Sequence, residues 1–460
     1  MATLEDLLAD EARVMLQIET LAESLASMRV RIAEIRDVNS GAVTYNLPNE
    51  PLSAIFEASL SLPPHVPDAR KPKTQIPFEI LVSSISRRWR NVAFHTPLLW
   101  TDIRINVSKR RENLIDLYLR RSKMCLLDIT FKEDAQTGDP IECAVHTKNF
   151  ECYFERLVPH AIRWRTFTID EDVHVGALSK VLSPLSNLSV PALQKMRIHC
   201  IDGQPSLVQV FSGGAPLLSS LELRGTCVQP PSDNIRSLTL SQCPIGLKEF
   251  TQLMRPMRSL IHLSIYPKTV LTIPPSPIVL PSVISLAVGL ERGYDLCNLN
   301  CLDLPALESL TIRGLDTKNV MMALARCHRL FPVLHSLQIS YCGSDNFNPV
   351  PAAITRDFFT LLPNIRNFTL HHGALEPICD GLQSSEPFWP ELSVITFIPP
   401  SLIGDTSRHI HIWNNIVKVV DNRLTLGHPV SQIKLSSAFL RHFTRRQQGG
   451  LKAKVGLEAC

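Results

Sequence analysis

Hydrophobic residues recur along this chain with three different periods, and each period predicts a different kind of element. Over residues 3–36 the period is a heptad. With Leu4 as position a, the a positions are Leu4, Glu11, Ile18, Leu25 and Ile32, and the d positions are Leu7, Val14, Leu21, Met28 and Ile35. Nine of these ten are apolar, Glu11 being the exception. That predicts a long helix with a coiled-coil seam, and with it a homo-oligomer through residues 1–36. The alternative is one amphipathic helix packed against its own domain. Asn39-Ser40-Gly41 suits a helix stop and a link. Next, Leu52, Ile55 and Phe56 stand at i, i+3, i+4, the spacing of one helical face. Ile85, Trp89, Val92 and Ala93 repeat that arrangement before Pro97 breaks it. The stretch between, 57–76, holds Pro63, Pro64, Pro67 and Pro72 among Lys71 and Lys73, and reads as an exposed loop.

The third period belongs to β-strands. Leu-x-x-Leu-x-Ile, often after a proline, recurs as Leu193…Met196…Ile198, Leu218…Leu221…Leu223, Ile235…Leu238…Leu240, Leu260…Leu263…Ile265 and Val283…Leu286…Val288. It continues as Leu307…Leu310…Ile312 and Leu334…Leu337…Ile339, with looser copies at Ile365…Phe368…Leu370 and Leu392…Ile395…Phe397. The copies lie 17 to 31 residues apart, a mean of about 25, inside the range of leucine-rich repeats. Returns are expected over 247–257, 317–330 and 354–362. Cys243 and Cys342 occupy the place where that repeat accepts Asn or Cys; most other copies lack such a residue, so the repeats are irregular. Weaker strands are expected at 100–105, 127–131 and 164–169, with helices 112–121 and 150–161 between them, and a last strand at Val430…Ile433…Leu435. The tail from Arg445 reads as frayed. The fold class is therefore α/β: an N-terminal helix (1–44), a small all-α module (45–105), an irregular solenoid with parallel strands on its concave face (106–440), and a flexible basic tail (441–460).

In a strand, residues two apart share a face. Met196 and Ile198, Leu221 and Leu223, and Leu310 and Ile312 point inward. One continuous outer face then carries Arg197, His199, Glu222, Arg224, Thr239, Ser241, Ser264, Tyr266, Thr311, Arg313, Gln338, Ser340, Thr369 and His371. Its mixed charge and hydrogen-bonding groups suit a protein or peptide target. The alternative for any one of them is an ordinary solvated strand residue.

Composition narrows the function classes. The 460 residues carry a net charge of +4, and the basic runs Lys109-Arg110-Arg111 and Arg441…Arg446 lack interleaved aromatics, so no nucleic-acid partner is expected. No run of eighteen apolar residues predicts a membrane span. The acidic start Met1-Ala2-Thr3-Leu4-Glu5-Asp6 lacks a secretory pattern, which points to a cytoplasmic or nuclear protein with its twelve cysteines reduced and its Asn-x-Ser/Thr matches at 106, 187 and 367 due to chance. Cys297 and Cys301 stand beside no histidine pair. In His409-Ile410-His411, alternation puts both histidines on one strand face, and His371-His372 lies upstream, yet no acidic or Cys partner stands at ligand spacing. Asp170-Glu171-Asp172 reads as a solvated turn. There is no Gly-rich phosphate loop, no Gly-x-Ser-x-Gly and no His-Glu-x-x-His. The expectation is a protein without catalytic residues, metal or cofactor.

The segments Leu47-Pro48-Asn49-Glu50-Pro51-Leu52 and Ile85-Ser86-Arg87-Arg88-Trp89-Arg90-Asn91-Val92-Ala93, followed by Thr96-Pro97-Leu98-Leu99-Trp100, resemble an F-box of the form common in mushroom-type fungi, over roughly residues 45–105. With the repeats, the chain resembles the substrate-receptor subunits of SCF (cullin-RING) ubiquitin ligases. The resemblance implies that the F-box docks a Skp-family adaptor and that the repeats hold an unknown target protein. It implies adaptor contacts from Leu47, Pro48, Leu52, Ile55, Phe56, Ile85, Val92 and the aliphatic part of Arg88, with Trp89 anchoring the module's own core. Where the family pattern favours Ile or Leu after Glu50, this chain has Pro51, a residue a helix accepts in its first turn. The rival reading is a leucine-rich-repeat interaction scaffold, oligomerised by the N-terminal helix and without a ligase role.

Overall fold

The computed structural model describes residues 4–39, 47–60, 76–132, 140–170, 182–199, 207–231, 233–243, 245–266, 277–289, 302–314, 324, 331–341, 352–371, 376–384, 388–398 and 406–460. It is a mixed α/β structure with two compact units, Met1–Asp102 with Asp116–Cys125, and Ile103–Ile115 with Leu126–Cys460. The link at 40–46, most of the proline-rich stretch, Cys297, Cys301, Cys342, the return at 317–323 and 325–330, Glu171, Asp172 and His372 lie outside the described residues.

The first unit opens with the predicted helix, Leu4–Asn39. From Val14 onward its heptad positions lie between 47% and 68% exposed, so the apolar seam is uncovered within the single chain rather than packed on its own domain. Three shorter helices follow, Asn49–Leu60, Phe78–Ile85 and Arg87–Phe94, and then a 3-10 turn, Pro97–Trp100. Their boundaries have local causes. Ser86 sits in extended backbone, and its hydroxyl accepts the Trp89 amide at 3.1 Å, which caps the third helix. Thr96 returns its hydroxyl to the Val92 carbonyl at 2.9 Å, and Pro97 ends the run. Pro51 falls in the first turn of its helix, where a missing amide proton costs nothing.

Leu52, Phe56, Val82, Val92, Ala93, Leu99 and Trp100 form this unit's core. The Phe56 ring lies 5.2 Å from Trp89 and 6.3 Å from Phe78, centroid to centroid. Trp100 donates its indole N–H to the Ala93 carbonyl at 2.8 Å and meets the Tyr118 ring edge-on at 5.2 Å. Arg121 stacks over Phe94 at 3.3 Å, and the burial this brings lowers its pKa.

The second unit is built on one parallel sheet. In chain order its strands, with four short ones that pair off separately, are β1 (Asp102–Asn106, whose first residue belongs to the other unit), β2 (Leu127–Lys132), β3 (Trp164–Ile169), β4 (Lys195–His199), β5 (Leu207–Gln209) and β6 (Ser220–Arg224). Then come β7 (Cys227–Gln229), β8 (Ser237–Ser241), β9 (His262–Ile265), β10 (Ile278–Val279), β11 (Ser285–Gly289) and β12 (Leu302–Asp303). The last are β13 (Ser309–Gly314), β14 (Ser336–Tyr341), β15 (Asn367–His371), β16 (Val394–Ile398), β17 (Gln432–Leu435) and β18 (Gly456–Ala459). β5 pairs with β7 and β10 with β12; the other fourteen form a single sheet whose strand order is their sequence order.

The repeat fixes the register. Leu221 stands opposite Leu238 and Leu223 opposite Leu240, and the match continues through Leu263, Leu286, Leu310, Leu337 and Phe368. These side chains are buried, and the residues between them are half-buried or exposed. A one-residue slip would turn the whole row outward, so the leucine spacing specifies one pairing. Helices Leu247–Met254 and Ala352–Leu361 fall where two of the returns were expected. Cys243 is buried and donates its thiol to the Thr226 carbonyl at 3.1 Å.

Two expectations are corrected. His409-Ile410-His411 is not a strand but part of the helix Thr406–Thr425. Its buried positions, His409, Ile412, Trp413, Ile416, Val419 and Val420, recur at helical spacing, so His409 points inward while His411 is exposed. The tail is not frayed either. Residues Arg445–Lys452 form a helix with a capping box at Thr444 and Gln447, and β18 pairs with β17 as the last strand of the sheet. Phe443, Leu451 and Val455 anchor it by burial.

Candidate interaction surfaces

In the helical module the residues that the resemblance assigns to an adaptor divide into two groups. Leu52 and Phe56 are 1% exposed and Val92 is 5% exposed, so these three hold the module together and have no surface to offer a partner. Ile55 and Ile85 are 52% and 55% exposed. The cause is helix geometry: residue 55 lies one step from 56 and about 100° around the axis from it. Arg88 is half-buried; its Nε donates to Asn49 Oδ1 at 3.2 Å and one Nη donates to the Leu47 carbonyl. It therefore ties the helix Arg87–Phe94 to the start of the helix Asn49–Leu60. Leu47 is half-buried and Pro48 exposed.

Sequence reasoning missed the rest of this surface. In the helix Phe78–Ile85, Val82 and Ser83 are buried, while Phe78, Leu81 and Ile85, at i, i+3 and i+7, form a second apolar stripe open to solvent. Their spacing was visible in the sequence, but a helix with two apolar faces gives no internal sign of which one is covered.

On the sheet, register links the predicted target-facing residues into rows. One row runs Thr130, Thr168, Arg197, Glu222, Thr239, Ser264, Ala287, Thr311, Gln338, Thr369, Thr396, Lys434 and Glu458, each opposite the next. From Thr239 to Thr396 it is uncharged; its charges form two pairs, Arg197–Glu222 and Lys434–Glu458, that flank this stretch. In the first pair Arg197 Nε donates to Glu222 at 2.8 Å, and His199 Nε2 stands 3.1 Å from the other oxygen of that carboxylate. His199 is 6% exposed, a correction to its expected place on the open face: it has the right side of the strand but is buried against Glu222. At the far end Lys434 pairs with Glu458 at 3.2 Å, the two side chains 36% and 56% exposed.

A neighbouring row holds Arg224, Ser241, Gly289, Arg313, Ser340 and His371. Arg224 donates to Gln242 Oε1 at 3.0 Å. Gly289 stands opposite Arg313 and has no side chain, which lets the guanidinium reach across that strand to the Tyr266 ring, 5.3 Å from its centroid. Tyr266, Ser264, Gln338, Thr369 and His371 are all half-buried.

Comparison with other proteins adds little. No family model matches the chain, and no curated protein does. Among solved structures, a crystal structure of a Bacteroides fragilis protein matches at 13% identity and a TM-score of 0.33, covering 68% of this chain and 83% of that one; a likeness of that size carries no argument.

Among the described residues, no group of three His, Cys, Asp or Glu side chains is placed to hold a metal, and no helix is long and apolar enough to cross a membrane. The titratable groups that are shifted have structural causes. Hydrogen bonds from Arg110, Cys152 and Arg156 hold Glu112 down at about 2. Burial and the Glu112 carboxylate raise the Cys152 thiol, which keeps it protonated and a weak nucleophile. Cys227 and Cys243 are both buried and hydrogen-bonded to each other, which pushes Cys227 up and Cys243 down.

Proposed function

We propose that this chain is the substrate-receptor subunit of an SCF-type ubiquitin ligase. In this reading residues 45–105 are an F-box that docks a Skp-family adaptor, the sheet is that of a leucine-rich-repeat solenoid, and its half-buried polar rows hold a target protein. The receptor does no covalent chemistry. It raises the effective concentration of a target lysine near the charged E2 enzyme.

The observation that carries the reading is the exposed apolar surface of Ile55, Leu81 and Ile85 on a small helical unit that bears the Leu-Pro-x-Glu and Arg-Arg-Trp-Arg segments. Aliphatic side chains left in water on a folded module favour a protein partner. The long neutral strip between two charged pairs supports a peptide-like target read by hydrogen bonds, with the Arg313–Tyr266 pair beside it as a contact for an acidic or aromatic group.

Co-purification tests the proposal. The wild-type chain is expected to capture a Skp-family adaptor, and Ile55→Asp with Ile85→Asp is expected to abolish capture while the thermal transition stays within about 2 °C of wild type. A wild-type chain that captures no adaptor would end the ligase reading. The second reading, a repeat scaffold without ligase role, is favoured by one observation, the uncovered heptad seam of the N-terminal helix.

A further inference from the structure

The N-terminal helix carries orientation as well as an apolar seam. In a coiled coil the e and g positions flank the seam and meet the partner's side chains. With Leu4 at a, the charged e and g residues of Leu4–Asn39 are Asp10 (g), Arg29 (e), Arg31 (g) and Arg36 (e).

The two ways of pairing this helix with a copy of itself differ sharply. Side by side in parallel, each g residue meets the e residue five positions on in the other copy. Arg31 then faces Arg36, twice by symmetry, and Glu11, the polar a residue, faces another Glu11 across the seam. Turned end for end, a positions face d positions and g faces g. Ile18 then lies opposite Leu21, Leu25 opposite Val14, and Glu11 opposite Met28. Asp10 comes beside Arg31, twice by symmetry. Parallel pairing stacks like charges on the rim and in the core; antiparallel pairing removes both clashes and gains two ion pairs.

We infer that this helix pairs antiparallel with a second copy of the chain. The exposure of Ile18, Leu21, Leu25 and Met28 leaves the seam open for that copy, and charge complementarity selects its direction. The inference stands on the helix alone and is independent of any ligase role. A helix of 36 residues is about 54 Å long, so the two chains leave the paired segment from ends roughly 50 Å apart.

Sedimentation equilibrium of the full-length protein at low ionic strength provides the test. Wild type is expected to be a dimer at micromolar concentration, and Leu21→Asp to be monomeric. Arg31→Glu sets a carboxylate against Asp10 in the antiparallel pair, and is expected to weaken the dimer roughly three- to tenfold. Asp10→Arg combined with Arg31→Glu restores it. In a parallel pair Arg31→Glu would instead relieve the contact with Arg36 and tighten the dimer. A monomeric wild type, a dimer that survives Leu21→Asp, or an Arg31→Glu dimer unchanged or tightened would each overturn the inference.

Discussion

At the scale of single residues, neighbours in sequence have opposite jobs. Phe56 fills the core against Trp89 and Phe78, whereas Ile55 stands in solvent. Phe56→Ala is expected to cost the module about 3–5 kcal/mol, read as a lowered denaturation midpoint, because the ring leaves a cavity that three helices cannot close. Arg423 is a buried cation whose guanidinium donates to the carbonyls of His428, Phe388 and Trp389 at 2.9–3.0 Å. Arg423→Ala leaves three carbonyls without that donor and is expected to cost about 2–4 kcal/mol by urea titration. Glu112 supplies a pH dependence. Its folded pKa of about 2 lies below the ordinary 4.5, so its contribution to stability is complete above about pH 4.5 and is lost as pH falls through 2. Glu112→Gln is expected to flatten the fall in urea midpoint over that window; an unchanged slope would show that the Arg110 and Arg156 contacts contribute nothing. At this scale the sequence revealed which residues are apolar and in which period, including Leu52, Phe56 and Val92. It did not reveal which apolar face is covered, since that depends on neighbours distant in the chain.

At the scale of elements, legibility depended on window length. Each repeat strand was readable because its apolar pair is matched by the next copy, and a mismatch anywhere would expose a leucine. His409-Ile410-His411-Ile412-Trp413 alternates like a strand over five residues, but over Thr406–Thr425 the apolar positions follow helical spacing, and the longer pattern wins because a helix face must be continuous to pack. The C-terminal helix was obscured by Gly449-Gly450, which argue against helix by propensity; the capping box at Thr444 and the burial of Leu451 outweigh them. Ser86 is the element-scale test in the helical module. Ser86→Ala removes the cap of Arg87–Phe94 and is expected to cost about 1 kcal/mol by thermal denaturation, with the sheet unit unaffected.

At the scale of the molecule, the last twenty residues matter more than their composition implies. β18 covers the edge of β17, and Lys434 of that strand meets Glu458. A chain ending at 440 loses this cover together with Phe443, Leu451 and Val455, and is expected to aggregate or to melt several degrees lower in size-exclusion and scanning-fluorescence experiments. The order of the sheet has a separate consequence for synthesis. Within the fourteen-stranded sheet, each strand pairs only with the sheet strands made just before and just after it. A growing polypeptide can therefore add β6 to β4, then β8 to β6, as each leaves the ribosome, and only the short strands β5 and β10 wait across one sheet strand for their partners. Contacts this local shorten the search for native pairing and leave a single growing edge exposed at any moment. Arrested nascent chains should accordingly gain protease resistance in steps of about one repeat, from the amino-terminal strands onward, rather than all at once on completion.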